Sequence, residues 1–308
     1  MASDSPRVPV SVAVILLTRD QKDNTLRCLE SLTRVTGGYH RTVLWDNGSV
    51  DGTGDAVREA RPEVLVRDHP DNLGVAGGRN AAVDLAHASF APTHVLFLDN
   101  DMTVRPDFLE HLLQPFHEDP RVAQTTGKIL DLGDPRRIYG AGGCGVSFWR
   151  GKTAHVGNGE IDTGQYDRPR DCIPSGGCML VRADVFRETG GFDTVFNPYG
   201  PEDLDFGFRV RRDGWRAVYV PDAVVFHETE PSRTASGGSY SETYAASKTR
   251  MWFVLMGRHA TVAQRLGFLL LGAPWALITA VFREARRGNL GAVRGLLSGA
   301  FQALRGKR

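Results

Sequence analysis

Uninterrupted apolar runs alternate with amphipathic stretches along the first hundred residues of the chain. The apolar runs predict buried strands at residues 10–17, 42–45, 64–67 and 95–98. Between them lie predicted helices at 24–35 and 54–61, and a glycine-rich segment, 72–80, opens a third helix that runs to about residue 88. Strand–helix alternation with short connections predicts an α/β fold, a doubly wound, mostly parallel central sheet flanked by helices.

The second half of the chain has a less regular pattern. Residues 128–173 show no clear period, and the Ser-, Thr- and Gly-rich segment 229–247 is predicted to be a mobile loop. The remaining predicted elements are a strand at 173–182, helices at 183–188 and 201–212, and closing strands at 217–220 and 223–227. Pro201 is placed at the first position of its helix, with acids in the first turn and arginines in the last.

From about residue 244 the pattern is helical, and residues 266–282 carry no charge. As a helix this run would span ~26 Å, less than the roughly 30 Å of a bilayer's hydrocarbon core. Pro274 lies at its middle. Two interpretations remain open: helices packed against the body, or an amphipathic helix lying in a membrane surface with nearby arginines in the headgroup region. A spanning helix is less favoured.

Charge is distributed unevenly along the chain. Residues 250–308 carry ten Lys or Arg and one acid, a net of +9, so that residues 1–249 carry −8 within the overall +1. Nucleic-acid binding would require basic residues interleaved with aromatics, which this pattern lacks. A basic tail on an acidic body favours contact with a membrane surface instead. We therefore divide the chain into a flexible tail, 1–9, a catalytic domain, 10–230, and a mobile loop with basic amphipathic helices, 231–308.

The predicted location is cytoplasmic, with a peripheral position on the cytoplasmic membrane face as its variant. Residues 1–9 contain no apolar core of a signal peptide, and the four cysteines lack the spacing of a zinc site or a disulfide framework.

Polar side chains stand where the predicted strands end. Thr18 and Asp46 follow the first and second strands, and Asp99 and Asp101 follow the strand at 95–98. Ligands of open α/β sheets bind at the carboxyl ends of strands. The sequence has no G-x-G-x-x-G after the first strand and no Walker A loop. A nucleotide here would instead be held by a carboxylate at the base and a metal at the diphosphate.

These segments, in order and spacing, resemble the inverting glycosyltransferases of family 2. The resemblance covers about residues 10–230 and implies the GT-A fold. Lys248-Thr-Arg250 and the tail are similar to the rhamnosyltransferase-like, non-processive members. The matching segments are 12–20, 46–53, 72–80, 99–101, 176–192, 202–212 and His227.

The resemblance implies a donor site for a nucleoside-diphosphate sugar. Asp46 would accept the ring N–H of a pyrimidine, which favours UDP or dTDP, and Asp99 would bond the ribose. Thr18 would line the pocket. Arg19 replaces the aromatic residue usual in the family, which leaves the donor base open. The remaining implied donor-binding residues are Arg79 and Asn80.

The resemblance also implies a metal and a base. Asp101 and His227 would bind Mn²⁺ or Mg²⁺ across the phosphates. Asp203 would be the base that deprotonates the acceptor hydroxyl. The remaining acceptor-side residues are Glu202, Gly176 and Gly177.

The predicted function is inverting, metal-dependent transfer of one sugar from a nucleoside-diphosphate sugar to a saccharide or lipid-linked acceptor, as in synthesis of cell-surface polysaccharides. The Q-x-x-R-W motif of processive synthases is absent after the proposed base. Two alternatives remain. The first is a retaining transferase, because residues 199–209 faintly resemble the polypeptide N-acetylgalactosaminyltransferases. The second is a non-catalytic scaffold that binds sugar nucleotides or membranes.

Overall fold

The computed structural model describes residues 10–228 and 241–305. In chain order the strands are β1 Ser11–Thr18, β2 Tyr39–Asp46, β3 Leu65–Asp68, β4 His94–Asp99, β5 Met102–Val104, β6 Val122–Asp131, β7 Ile138–Ala141, β8 Cys144–Ser147, β9 Lys152–His155, β10 Arg170–Asp171, β11 Cys178–Arg182 and β12 Arg216–His227. The helices are α1 Lys22–Leu32, α2 Thr53–Ala60, α3 Gly74–Phe90, α4 Phe108–Glu118, α5 Ala183–Glu188, α6 Glu202–Arg212, α7 Glu242–His259, α8 Val262–Arg286 and α9 Leu290–Leu304.

Within this described part, one ten-stranded sheet has the path β10-β12-β6-β11-β4-β1-β2-β3, with β5 on β12 and β7 on β6. Strands β3, β2, β1 and β4 are parallel, as predicted. Strand β11 runs antiparallel between β4 and β6 and joins this half to the parallel pair β6–β12. The carboxyl ends of β1 and β4 therefore face the turn that precedes β11.

Successive residues of β1 point to opposite faces of the sheet. Val12, Val14 and Leu16 pack against α1 and α4, whereas Ala13 and Ile15 pack against α3, α5 and α6. Because both faces are covered, the strand has no polar alternation and appears in the sequence as a continuous apolar run. The predicted sheet flanked by helices is confirmed.

Several elements were absent from the sequence prediction, among them α4, β5 and β6. Strand β6 is buried but carries threonines whose hydroxyls are satisfied by backbone. Thr125 Oγ1 donates to the Leu112 carbonyl at 2.9 Å and Thr126 Oγ1 to the Cys178 carbonyl at 2.6 Å. Buried polar groups with such partners cost little, so a central strand can be polar in sequence.

Several predicted boundaries require correction. The two closing strands are one strand, β12, interrupted by a register shift between Val220 and Val224. Strand β11 starts at Cys178 rather than 173, and Pro201 precedes α6 rather than occupying its first position. Helix α7 begins at Glu242, inside the predicted loop 229–247. The predicted tail 1–9 and the loop residues 229–240 lie outside the described residues.

The C-terminal helices pack on the body through a separate apolar cluster. Met251, Leu255 and Met256 of α7 meet Phe196 and Leu204, which lie beside the start of α6. The N-terminal turn of α7 is capped by Ser241, whose hydroxyl accepts the Tyr244 N–H at 3.2 Å. Helix α7 thus connects the tail to the face of the body that carries α6.

Helix α8 is continuous but irregular. It contains a π-helical segment, Phe268–Gly272, and Pro274 follows directly. It is 25 residues long, its most apolar 18-residue window has a mean hydropathy of 1.7, and only 6% of that window is buried. By length and composition alone it could cross a membrane. Phe268 packs into the body cluster, while Leu270, Trp275 and Ile278 are exposed. The outer face of α8 is therefore apolar and faces solvent.

Two glycines allow α9 to lie directly on α7. A Cβ at Gly295 would overlap the Glu242 carbonyl oxygen, and one at Gly299 would overlap that of Ala246. Small residues four apart permit this close approach of helices. Gly257, in α7, has nothing within 4 Å of its hypothetical Cβ.

Replacement by alanine should have opposite effects on stability at Gly299 and Gly257. Gly299→Ala should lower the free energy of unfolding by about 1–3 kcal/mol, because a backbone has to move. Gly257→Ala should raise it by about 0.5–1 kcal/mol, because alanine reduces the entropy lost when a helix forms. Urea denaturation of the two variants measures both values. Equal shifts would contradict the α7–α9 packing.

Candidate functional site

A cleft of about 1140 Å³ opens where β1 and β4 end. Its floor is formed by residues at these strand ends and by the turn before β11. The predicted site residues that line it are Thr18, Arg19, Arg79, Asp99, Gly176, Gly177, Glu202, Asp203 and His227. Most of the site residues implied by the sequence therefore line one cleft.

One wall is held by a buried polar group of three side chains. The hydroxyls of Thr18 and Thr25 are 2.9 Å apart, and Asn100 Nδ2 donates to them at 3.1 and 3.0 Å. All three side chains are buried. Asn100 ties the end of β4 to β1 and α1. This contact fixes the backbone that carries the carboxylates of Asp99 and Asp101 on either side.

Arg79 is the buried cation of the site. Its guanidinium donates to Asp99 Oδ1 at 2.7 Å, to the Gly176 carbonyl at 3.0 Å and to Glu202 Oε1 at 3.3 Å. Residue 176 has to be glycine because a Cβ there would lie 2.5 Å from Arg79 Nη1. A single arginine thus connects the donor-side carboxylate, the acceptor-side turn and the start of α6.

Glu202 is a buried acid that accepts a hydrogen bond from the Arg79 guanidinium. Its side chain is 6% exposed. Burial, followed by the negative charge of Asp203, raises the pKa of Glu202 to about 8 in spite of Arg79, which lowers it. The group is a buried partner of Arg79 rather than an exposed base.

Arg79→Met should destabilise the protein strongly. Removing the guanidinium takes away the donor that bonds Asp99 at 2.7 Å and Glu202 at 3.3 Å, and breaking such a buried network costs up to about 3–5 kcal/mol. Thermal and urea unfolding measure the loss. Arg121→Met is the matched control, since the Arg121 side chain is 70% exposed and its replacement should stay within about 0.5 kcal/mol. A loss at Arg79 as small as the control's would show that the network is not structural.

Asp203 faces the same cleft from the first turn of α6. Its Oδ2 accepts the Gly176 N–H at 2.7 Å, and its Oδ1 accepts the Leu204 N–H at 2.7 Å. These two donors set the orientation of the carboxylate, and its remaining lone pairs are available to a ligand hydroxyl. Asp205, two residues later, is fully buried and does not line the cleft. Its carboxylate is hydrogen-bonded by Arg209, Arg258 and His259.

Asp101 and His227 come together from distant parts of the chain. His227 Nε2 lies 3.5 Å from Asp101 Oδ1, which is buried and has no hydrogen-bond partner. Burial alone would lower the pKa of His227, but the Asp101 carboxylate and the charge of Asp99 raise it. A buried carboxylate oxygen facing an imidazole nitrogen in a negative field fits a divalent cation. Among residues 10–228 and 241–305, no cluster of three or more His, Cys, Asp or Glu side chains forms a closed metal site.

Aromatic and imidazole rings that the sequence prediction missed line the adjoining wall. The Tyr139 ring lies 4.3 Å from that of His227 and 5.0 Å from that of His155, centroid to centroid. His155 in turn lies against Cys144, with 3.3 Å between Nδ1 and Sγ. These residues come from β7–β9, in the region without a clear period, so no sequence pattern could have assigned them to the site.

Three predicted site residues, Asp46, Asn80 and Asp101, do not line the cleft. Asp46 is 4% exposed, and its Oδ1 accepts the Ser49 N–H at 2.8 Å within its own loop. Asn80 bonds the backbone of Phe192 through both atoms of its amide, at 2.7 and 3.0 Å. Asn80 therefore joins α3 to the turn after α5, and the base-reading role of Asp46 stays a prediction.

The next residue, Asn47, does line the cleft. Its Oδ1 accepts the Leu73 N–H at 2.9 Å, and its Nδ2 donates to Asn72 Oδ1 at 2.8 Å. Asn47 thereby fixes the glycine-rich entry to α3. The amides of Ala76 and Gly77 in that entry donate to Asn197 Oδ1, at 3.1 and 3.4 Å. The start of α3 is thus capped by protein rather than left open for a phosphate.

Comparison with known proteins identifies the family of this chain. The family model described as glycosyltransferase like family 2 matches residues 6–250. The N-acetylglucosaminyl-diphospho-decaprenol L-rhamnosyltransferase of Mycobacterium tuberculosis is 28% identical over 264 residues, which cover 80% of this chain and 84% of that protein.

Two solved structures share the fold. A mannosyltransferase from Pyrobaculum calidifontis, in complex with GDP-Man and Mn²⁺, has a TM-score of 0.59 at 18% identity and covers 98% of this chain and 89% of its own. GalNAc-T7 with UDP, GalNAc and Mn²⁺ has a TM-score of 0.64 at 14% identity, over 82% of this chain and 48% of its own. With the family model matching most of its length, this chain belongs to glycosyltransferase family 2 and is a transferase with the GT-A fold.

Proposed function

We propose that the protein transfers a single sugar, with inversion and with the help of a divalent metal, from a nucleoside-diphosphate sugar to an acceptor hydroxyl. The observation that carries the proposal is that Asp203 lines the same cleft as Asp99 and His227. A base on one wall and a diphosphate site on the other are what in-line displacement at a sugar carbon requires.

The proposed donor has a pyrimidine base, UDP or dTDP, as the family resemblance implies. Asp99 lines the cleft and is available to a ribose, with 40% of its side chain exposed. Arg19 at the cleft rim has a half-exposed side chain that can stack on a base. Asp46 is 4% exposed and does not line the cleft, so its contact with the base is proposed from the family resemblance.

Asp101 and His227 are the residues that would hold Mn²⁺ or Mg²⁺. When bound, the cation neutralises the charge that develops on the leaving diphosphate. The chain's own contribution is to orient these two ligands. Asn100 anchors the backbone of Asp101, and Tyr139 packs on the ring of His227.

On the acceptor side, Asp203 would take the proton of the attacking hydroxyl. The N–H groups of Gly176 and Leu204 hold its carboxylate in one orientation. Arg79, which bonds the Gly176 carbonyl, keeps that turn against the donor-side carboxylate. The same arginine therefore sets the distance between base and donor.

The proposed acceptor is a saccharide, with a lipid-linked one favoured by the name of the Mycobacterium relative. The proposed location is the cytoplasmic face of a membrane, because the exposed apolar face of α8 is accompanied by Arg265, Arg283, Arg286 and Arg287 on the same helix or directly after it. The proposed domain division keeps residues 10–230 as the catalytic domain.

Proton NMR of the product tests the reaction. The protein is incubated with Mn²⁺, a panel of UDP- and dTDP-sugars and a panel of saccharide acceptors, and the anomeric coupling of the first product is measured. We expect the anomer opposite to that of the donor. The same anomer would support a retaining transferase, and neither transfer nor donor hydrolysis with any donor would support a non-catalytic scaffold.

A further inference from the structure

A second concave site lies among the C-terminal helices. This groove, between α7, α8 and α9, has a volume of about 460 Å³. Its walls are largely apolar and include Trp252, Phe268, Leu277 and Leu296. Groove and catalytic cleft have no lining residue in common. Its apolar walls suit a hydrocarbon chain rather than a sugar.

The groove also contains positive charge. Lys152, Lys248 and Arg283 line it, and none of the described residues that line it is acidic. Arg283 Nε donates to Glu284 Oε1 at 2.9 Å, so its charge is partly compensated. The described lining thus combines apolar walls with basic and no acidic side chains, and that combination matches a ligand with an apolar chain and an anionic head.

Two elements connect the groove with the catalytic cleft. In α7, Tyr244 lines the cleft and Lys248 lines the groove, one helical turn or ~6 Å apart along the axis. In the β8–β9 hairpin, His155 lines the cleft and Lys152 lines the groove, three residues or ~10 Å apart along the strand. Each connecting element therefore carries a lysine at its groove end.

We propose that this groove binds the hydrocarbon chain of the acceptor, a polyprenyl-type lipid whose diphosphate lies at Lys152 and Lys248 and whose saccharide enters the cleft at Asp203. The inference rests on the proposed transferase function, since it names the acceptor of the same cleft. An ordinary membrane phospholipid would match the groove and the lysines but has no saccharide to place beside Asp203. The lipid-diphosphate saccharide matches all three parts.

Binding of a soluble analogue, measured on the full-length protein without donor, tests the groove. The probes are geranylgeranyl diphosphate, geranylgeraniol and inorganic diphosphate, each below its aggregation limit and followed by microscale thermophoresis. We expect geranylgeranyl diphosphate to bind at least tenfold more tightly than either part alone. Tight binding of inorganic diphosphate alone, or equal binding of geranylgeraniol, would overturn the assignment of one end of the groove.

Two variants locate the binding. Ala276→Trp fills the groove, since Ala276 lines it, and should weaken binding of geranylgeranyl diphosphate at least tenfold. Ile278→Trp is the matched control, because Ile278 lies on the same helix, is 62% exposed and does not line the groove. It should leave the affinity unchanged. Lys152→Gln, at an exposed position, should weaken the diphosphate probe severalfold but not geranylgeraniol. Equal affinity in the wild-type protein and all three variants would overturn the proposal, whether or not Ala276→Trp folds fully.

Transfer assays separate this inference from the proposed function. One acceptor saccharide diphosphate is offered with a twenty-carbon and with a five-carbon chain. We expect Ala276→Trp to lower kcat/KM at least tenfold for the long chain only. Equal use of both chains by the wild-type protein would overturn the groove assignment and leave the transferase function intact. Groove binding without any transfer would contradict the transferase function alone.

Discussion

Asp203→Asn should lower the rate of sugar transfer by ~10²–10⁴-fold, the contribution typical of a positioned general base. An amide cannot take the proton of the acceptor hydroxyl, but its oxygen can still accept the Gly176 N–H. The fold and the donor site should therefore survive. Initial rates at saturating donor and acceptor, together with the dissociation constant of the nucleoside diphosphate, measure the two effects separately.

The control for this variant lies on the same helix. Asp213→Asn removes one carboxylate at the exposed C-terminal end of α6 and should leave the rate unchanged. Loss of an acid from the helix N-terminus would by itself cost only ~0.3–1 kcal/mol of stability. A rate loss below tenfold for Asp203→Asn, with a matching drop in stability, would mean that Asp203 only stabilises the helix.

Asp101→Ala should remove the metal-dependent part of donor binding. In the wild-type protein, a nucleoside diphosphate with Mn²⁺ at a hundred times its dissociation constant should stabilise the fold by ~2.7 kcal/mol. Without the Asp101 carboxylate, His227 is the single remaining protein ligand of the proposed pair. The Mn²⁺-dependent stabilisation should then disappear, which thermal unfolding with and without Mn²⁺ measures independently of catalysis.

Asp55→Ala serves as its control. The Asp55 side chain is 93% exposed on α2 and does not line the cleft. This variant should keep the full Mn²⁺-dependent shift. If Asp101→Ala also kept it, Asp101 would not be a metal ligand, and the orphaned oxygen beside His227 would require another explanation.

The parallel half of the sheet could be predicted because its strands are buried on both faces. Strands β1 and β4 are continuous apolar runs in the sequence and lie at the centre of the structure. Strand β6 is equally central, yet it was missed because its buried threonines are satisfied by carbonyls of α4 and β11. Hydropathy records only whether a side chain is apolar. It does not record whether a polar side chain has found a partner.

The site divides in a similar way. Thr18, Asp99 and Asp101 were predictable because a polar residue directly after a buried strand has to lie at the sheet's edge. The roles of Asn100 and Asn80 were not, because both depend on a partner far away in the chain: Asn100 on Thr18 and Asn80 on Phe192. The residue type is the same in either setting, and only the packing shows whether an asparagine side chain faces a ligand or the protein.

By itself, the sequence determined the α/β class, the succession of the first four parallel strands along the chain and the family, because these depend on local periodicity and on motifs in order. The tertiary structure decided which charges meet. Arg79 joins Asp99, Gly176 and Glu202, which lie 20, 97 and 123 residues further along the chain, and His227 lies beside Asp101. It also placed an apolar groove with lysines beside the cleft. Such contacts arise from chain topology, which brings together residues that no local pattern links.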